Sequence, residues 1–272
     1  MKRLIVMDMD GTLLIEKKQI PQKTLESLIA QEEKGAHLVL ASGRGKERLI
    51  DFAKQLKMDE YEGYLIESNG SCIFDIAKDT REEIKTMSHE EADVVFKYLR
   101  TTYPKHDIVI MGRQHALLNT SSYGVQAGKY TRYTIESIKN RPNKEFKDVY
   151  EIDEVMFKLC VFDDPDKVSG MLNDILDKFS DTFWAGRVAP FWIEINPIEI
   201  SKGNALLRLM NKLDINKEDV YVFGDGENDL SMLEVGHSVA MGNALDSVKE
   251  KCEFVTLSNE EDGIAHFIEK YL

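Results

Sequence analysis

Leu4-Ile5-Val6-Met7-Asp8-Met9-Asp10-Gly11-Thr12-Leu13-Leu14 is the stretch on which the reading of the fold turns. Its first four residues form the short, unbroken apolar run of a strand buried on both faces, the kind found in parallel sheets. The run stops at two carboxylates one residue apart, followed by glycine and threonine. Like charges this close raise each other's pKa unless a cation neutralises them. Hard carboxylate oxygens suit Mg²⁺ for that task. A plain strand-to-turn exit would account for Asp10-Gly11 and leave Asp8 unexplained.

Working outward, strand and helix alternate. Pro21 opens a helix with Leu25, Leu28 and Ile29 on one side, and Gly35 ends it. Residues 38–41 make the next strand, closed by Ser42-Gly43-Arg44-Gly45. A helix follows that buries Leu49, Ile50, Phe52, Ala53 and Leu56. Residues 64–66 give a third strand, ending at Ser68-Asn69-Gly70. This alternation implies a parallel sheet with helices on its faces. Near residue 80 the pattern changes. Ser88-His89-Glu90-Glu91 is a capping box for a helix reaching about residue 103. Residues 108–111 and 115–119 read as a hairpin joined through Gly112, whereas 120–153 carry weak signal. Strands are expected at 155–162, 182–187 and 191–195, with a helix opening at Pro165. From Ser201 the first pattern returns: a helix to about 212, a strand at 220–223, further strands at 238–241 and 254–257, and a closing helix at 262–272. The expected architecture is α/β: a Rossmann-like core with a parallel sheet from residues 1–80 and 188–272, and an α+β insert at 81–187.

Bulk properties narrow the function classes. A chain of 272 residues exceeds the usual single core. Its 43% hydrophobic and 31% charged content is that of a soluble globular protein. A net charge of −13 argues against nucleic-acid partners, because a phosphate backbone would be repelled by the surface overall. Cys72, Cys160 and Cys252 are far apart and lack CxxC spacing, which disfavours zinc and suggests buried thiols in a reducing compartment. No apolar stretch approaches the ~20 residues of a membrane span, and the N-terminus lacks secretory-signal character. A cytoplasmic enzyme without membrane partners is expected, with a monomer preferred.

Four polar clusters follow strands or open helices of the expected core: Asp8/Asp10, Ser42-Gly43-Arg44, Lys202 and Asp225/Asn228/Asp229. In a doubly wound sheet the carboxyl ends of parallel strands share one edge, where ligands bind. The chemistry of the set is coherent. A carboxylate can attack phosphorus, a metal can neutralise nucleophile and phosphate, and a hydroxyl and N–H groups can hold phosphate oxygens. A lysine adds positive charge, and a second acid can serve the leaving oxygen and then water.

Asp8-Met9-Asp10-Gly11-Thr12, Ser42-Gly43-Arg44, Ser201-Lys202-Gly203 and Gly224-Asp225-Gly226-Glu227-Asn228-Asp229 resemble the four ordered motifs of the haloacid dehalogenase superfamily. With the large insert after the second motif, the chain is similar to Cof-type phosphatases carrying a C2B cap. The resemblance implies Mg²⁺ as cofactor and a small phosphorylated metabolite as substrate, hydrolysed through an aspartyl-phosphate. It implies Asp8 as nucleophile and metal ligand, and Asp10 as general acid/base with its carbonyl on the metal. Ser42 and Lys202 match phosphate-binding positions, and Asn228 lies near phosphate. Asp225 matches the acidic metal ligand, and Asp229 holds the metal shell. Thr12, Gly43 and Asn69 line the same pocket. The insert is then a lid that sets specificity. Glu199 stands where relatives often have glycine, which affects the local turn. A phosphomutase, or a non-catalytic module that senses a sugar phosphate, are the alternatives.

Simpler roles fit the remaining residues better. Arg44 reads as a structural ion-pair partner, and Trp184, Arg187 and Trp192 as hinge or core packing. His89, His106 and His115 lack metal spacing and read as surface residues. Residues 224–229 fail as a calcium loop, because Leu230 stands where that loop needs glycine.

Overall fold

The computed structural model describes residues 3–119, 134, 138 and 141–272. Most of the weak-signal stretch expected at 120–153 lies outside the described residues. Two compact units are present: Met1–Lys85 with Ile200–Leu272, and Thr86–Glu199.

The first unit is built on an eight-stranded sheet. Its strands are β1 (Arg3–Met7), β2 (Ala36–Ala41), β3 (Tyr64–Glu67), β4 (Cys72–Asp75) and β5 (Thr80–Glu83), joined after the insert by β12 (Val220–Gly224), β13 (His237–Ala240) and β14 (Phe254–Val255). The order is β14-β13-β12-β1-β2-β3-β4-β5. All pairs from β14 to β3 are parallel. The β3–β4 and β4–β5 pairs are antiparallel, an edge that the alternating pattern did not reveal. The first strand sits centrally because it is apolar on both faces. Ile5 and Met7 pack with Leu38, Leu40 and Phe223 on one side. Leu4 and Val6 pack with Val39, Val222, Leu206 and Leu209 on the other. The helices Gln22–Glu33 and Gly263–Tyr271 are tied together by Asp262, whose Oδ1 accepts from the Thr24 N–H (3.1 Å) and Thr24 Oγ1 (2.9 Å). One fold unit is thus made from both ends of the chain.

The second unit carries β6 (Asp107–Gly112), β7 (Ala116–Asn119), β8 (Asn143–Phe146), β9 (Met156–Phe162), β10 (Phe183–Ala189) and β11 (Trp192–Pro197). The sheet order is β10-β11-β9-β6-β7-β8, antiparallel except at β7–β8. The helices His89–Thr102 and Pro165–Phe179 cover one face through Val95, Phe96, Leu99, Val168, Met171 and Ile175. The capping box at Ser88 is formed: the Glu91 N–H donates to Ser88 Oγ (3.1 Å) and the Ser88 N–H to Glu91 Oε2 (2.7 Å).

The unit boundaries differ from 80/81 and 187/188. β5 completes the first sheet by pairing with β4, so the first boundary moves to 85/86. The β10–β11 hairpin keeps residues 192–197 in the second sheet, so the second moves to 199/200. Trp192 therefore packs within the second unit, 5.1 Å from the Phe162 ring. The three histidines are half-buried rather than surface residues. His89 Nε2 bonds the Ile152 carbonyl (2.8 Å), His115 Nδ1 bonds Glu154 Oε1 (2.7 Å), and His106 lies beside Asp163. Cys72 and Cys160 are buried free thiols, and Cys252 is half-buried.

Candidate active site

Parallel register brings three of the motifs to one sheet edge. Met7 pairs with Phe223 and with Leu40, so Asp8, Ser42 and Asp225 all leave the sheet on the carboxyl side of adjacent strands. The Asp8 N–H continues the ladder onto the Phe223 carbonyl (3.1 Å). Gly11 then turns the chain with φ +86°, and a Cβ there would stand 2.4 Å from Asp225 Oδ2. Only glycine meets both demands. The Thr12 hydroxyl donates to Asp225 Oδ1 (2.6 Å).

Lys202 arrives from the start of helix Lys202–Leu213, where the Ser201 hydroxyl caps the Asn204 N–H (3.1 Å). Its ammonium is 1% exposed and donates to Asp8 Oδ1 and Asp229 Oδ1, each at 2.6 Å. Asp229 uses its other oxygen to accept the N–H groups of Asp225 and Gly226, both at 3.0 Å, which fixes the loop after β12. Asn228 is half-buried in the same turn.

The electrostatics follow from packing acids close together with little exposure. Burial, then the neighbouring Asp229 and Asp225, push the Asp8 carboxyl up to about 7 against the pull of Lys202. Asp225 is raised to about 6, chiefly by burial. Burial would lower the Lys202 ammonium, but Asp229 and Asp8 outweigh it and hold it above its ordinary value. One lysine therefore serves a cluster with more acid than it can neutralise. Asp8, Asp225 and Asp229 can each place one oxygen within 4.8 Å of the others. Three hard oxygen donors around a charge deficit fit a divalent cation such as Mg²⁺.

Ser42 opens a turn that is zipped to the segment after β3. The Ser42 N–H donates to the Ile66 carbonyl (2.9 Å), the Ser68 N–H to the Arg44 carbonyl (3.0 Å) and the Asn69 N–H to the Ser42 carbonyl (3.0 Å). The Ser42 hydroxyl accepts the Arg44 N–H (3.3 Å). Gly43 is half-buried within this turn. Asp10 is oriented differently from Asp8. Its carboxylate is held by Arg44 Nε (3.1 Å) and Nη2 (2.6 Å to each oxygen) and by Lys18 Nζ (2.6 Å). Burial opposes ionisation of Asp10, but Lys18 and Arg44 prevail and lower its pKa. Arg44 is thus the ion-pair partner expected of it.

The structure brings Asp8, Lys202, Asp225 and Asp229 into direct contact or near contact, with Thr12 bonded to the group and Ser42 on the same edge. Three nearby residues were missed from the sequence: Lys18, Glu67 and Arg81. The signal for Glu67 was present, since it ends an apolar strand with an acid as Asp8 does. Nothing local marks Lys18 or Arg81.

Comparison with known proteins finds relatives that match nearly the whole chain. The family model for haloacid dehalogenase-like hydrolases matches residues 5–268. The Bacillus subtilis protein YxeH is 31% identical over 278 residues, covering 98% of this chain and 97% of its own. The 5-amino-6-(5-phospho-D-ribitylamino)uracil phosphatase YwtE of the same species is 29% identical over 293 residues, covering 99% and 98%. A solved haloacid dehalogenase-like hydrolase from Bacteroides thetaiotaomicron superposes with a TM-score of 0.79 at 29% identity, with all of both chains covered. With its acids and lysine gathered at the carboxyl edge of a doubly wound sheet, the chain belongs to the haloacid dehalogenase-like hydrolase family.

Proposed function

We propose that this chain is a Mg²⁺-dependent phosphatase that hydrolyses small phosphomonoesters through an aspartyl-phosphate on Asp8. The carrying observation is the pairing of Asp8, at the carboxyl end of the central strand, with a buried Lys202 and with two further acids. Asp8, Asp225 and the Asp10 carbonyl would hold the cation, with Asp229 bracing its shell. When bound, it would supply the positive charge that lets an anionic nucleophile approach an anionic ester.

Asp8 attacks phosphorus, and the bond to the leaving oxygen breaks as Asp10 gives that oxygen a proton. Asp10 then takes a proton from the water that cleaves the acyl phosphate, which frees Asp8 and inorganic phosphate. For this, Asp10 has to leave Arg44 and Lys18, because those cations hold it ionised. Lys202, the Ser42 hydroxyl, Gly43, Thr12 and Asn228 receive the phosphate oxygens. The second unit acts as the lid that reads the leaving group and excludes water. Sugar phosphates or similar metabolites are the substrate class, in keeping with a relative named for a phosphorylated ribityl compound. The enzyme works as a cytoplasmic monomer. Among the described residues no helix is long and apolar enough to cross a membrane.

The test is phosphate release from a panel of sugar phosphates, nucleotides and cofactor phosphates, with Mg²⁺ and with chelator. Metal-dependent turnover of at least one ester is expected. Silence across the panel and on a generic aryl phosphate would remove the phosphatase reading.

A further inference from the structure

The chain after β3 carries three consecutive residues in the left-handed region: Ser68 (φ +50°), Asn69 (φ +61°) and Gly70 (φ +106°). Glycine adopts this conformation freely and asparagine tolerates it, but serine does so at a cost. Such backbone persists only where its surroundings over-determine it, and it gathers at functional sites. Here it lies between two parts of the candidate site. On one side the Ser68 and Asn69 N–H groups donate to the Arg44 and Ser42 carbonyls. On the other, Gly70 lies so close to Ser201 that a Cβ would stand 2.1 Å from the Ser201 carbonyl oxygen. The segment 67–70 therefore spaces the Ser42 turn from the start of the Lys202 helix.

Glu67 adds a side chain to this ladder. It is 2% exposed. Its Oε2 accepts the Lys46 N–H at 2.6 Å, beyond the rungs at Ser42 and Arg44. The Arg81 guanidinium, reaching from β5, grips it with Nε on Oε1 (3.1 Å) and Nη2 on Oε2 (3.0 Å). A charged group sunk this deep is retained only where it is paired and hydrogen-bonded. Both conditions hold, and the far end of the pair is the backbone of the turn that carries Ser42.

We infer that Glu67, clamped by Arg81, is the positioning residue of the phosphate-binding turn: by anchoring the Lys46 N–H it holds Ser42 at a fixed spacing from Lys202. This deepens the reading given under Proposed function and rests on it. Glu67 touches no reacting atom. It acts by keeping the hydroxyl and the ammonium on the same phosphoryl group, and small misplacements of such groups are costly.

The experiment measures binding of inorganic phosphate calorimetrically in the presence of Mg²⁺, alongside KM and kcat, for the wild type, Glu67→Ala, Glu67→Gln and Glu67→Ala/Ser68→Gly. Glu67→Ala is expected to weaken phosphate binding about tenfold or more. Glu67→Gln keeps one carbonyl acceptor for Lys46 and falls between the two. Ser68→Gly relieves the left-handed residue and restores part of the affinity lost by Glu67→Ala. A residue that served stability alone would lower the folded fraction and leave the phosphate affinity of the folded molecules unchanged. Unchanged affinity in folded Glu67→Ala and in folded Glu67→Gln overturns the inference while the phosphatase reading stands. A wild type that binds no phosphate overturns both.

Discussion

Replacing Lys202 by methionine isolates the electrostatics of the site. The substitution keeps the length of the aliphatic stem and deletes one ammonium. In the wild type that ammonium is 2.6 Å from both Asp8 and Asp229 and nearly free of solvent. Removing one partner of a buried ion pair costs about 3–5 kcal/mol, because the orphaned charge stays desolvated. Here two carboxylates lose their cation, with Asp225 close by. The loss is pH-dependent, and its sign follows from proton binding. Asp8 is raised to about 7 from 3.8, so over that interval the folded chain holds a proton that the unfolded chain has released. Stability therefore falls as pH rises through this window. Without Lys202 the carboxyl is pushed higher still, and the window extends upward. The destabilisation of Lys202→Met relative to wild type should thus be smaller near pH 5 than near pH 8, where it approaches about 3–5 kcal/mol without divalent metal. Saturating Mg²⁺ should restore part of it, since a ligand at 100 times its Kd stabilises by about 2.7 kcal/mol. Thermal unfolding at pH 5, 6.5 and 8, with Mg²⁺ and with chelator, reads all three effects. A variant as stable as the wild type at pH 8 in chelator, or one indifferent to pH, would refute the coupling of these acids.

Other outcomes are equally definite. Asp8→Asn should abolish phosphate release and leave the circular dichroism spectrum and melting temperature close to wild type; residual turnover above about one part in a thousand would end the nucleophile assignment. Gly11→Ala forces a side chain into a left-handed turn against Asp225, and should cost about 1–3 kcal/mol while weakening Mg²⁺ binding, read by metal titration of the melting temperature. Glu32, 2% exposed and with no hydrogen-bond partner for either oxygen among the described residues, is raised to about 8 by burial and by Asp59 and Glu60. The folded state thus binds the extra proton between about 4.5 and 8, and stability drains as pH rises through that range. Glu32→Gln should match wild type near pH 5 and exceed it by about 1–3 kcal/mol at pH 8.5 in urea unfolding; parallel pH curves for the two proteins would contradict this.

The legibility of this chain varied with the range of the interactions involved. β1 was readable because four apolar residues followed by an acid have one buried-strand interpretation. The capping box at Ser88 was readable because both of its hydrogen bonds are local. The antiparallel pair β4–β5 was not, since Thr80-Arg81-Glu82-Glu83 is too polar to look like a strand and is held by pairing to Cys72–Asp75. The end of the insert was misplaced for a similar reason: Trp192–Pro197 joins β9, a partner 30 residues earlier, which periodicity does not report. The site divides in the same way. Asp8, Lys202, Asp225 and Asp229 announced themselves through their residue types and order. The parking of Asp10 on Arg44 and Lys18, and the clamp of Arg81 on Glu67, depend on side chains meeting across the fold.

By itself the sequence determined the alternation of strand and helix, the burial of the first strand on both faces and the identity of the acids. Hydrophobic periodicity and charge are properties of short stretches, and they need no knowledge of partners. Only the tertiary structure decided which acid faces the lysine and which faces an arginine, and where the two units divide. Those outcomes depend on the register of strands far apart in the chain and on which charges share a desolvated space, quantities that exist only once the chain has folded.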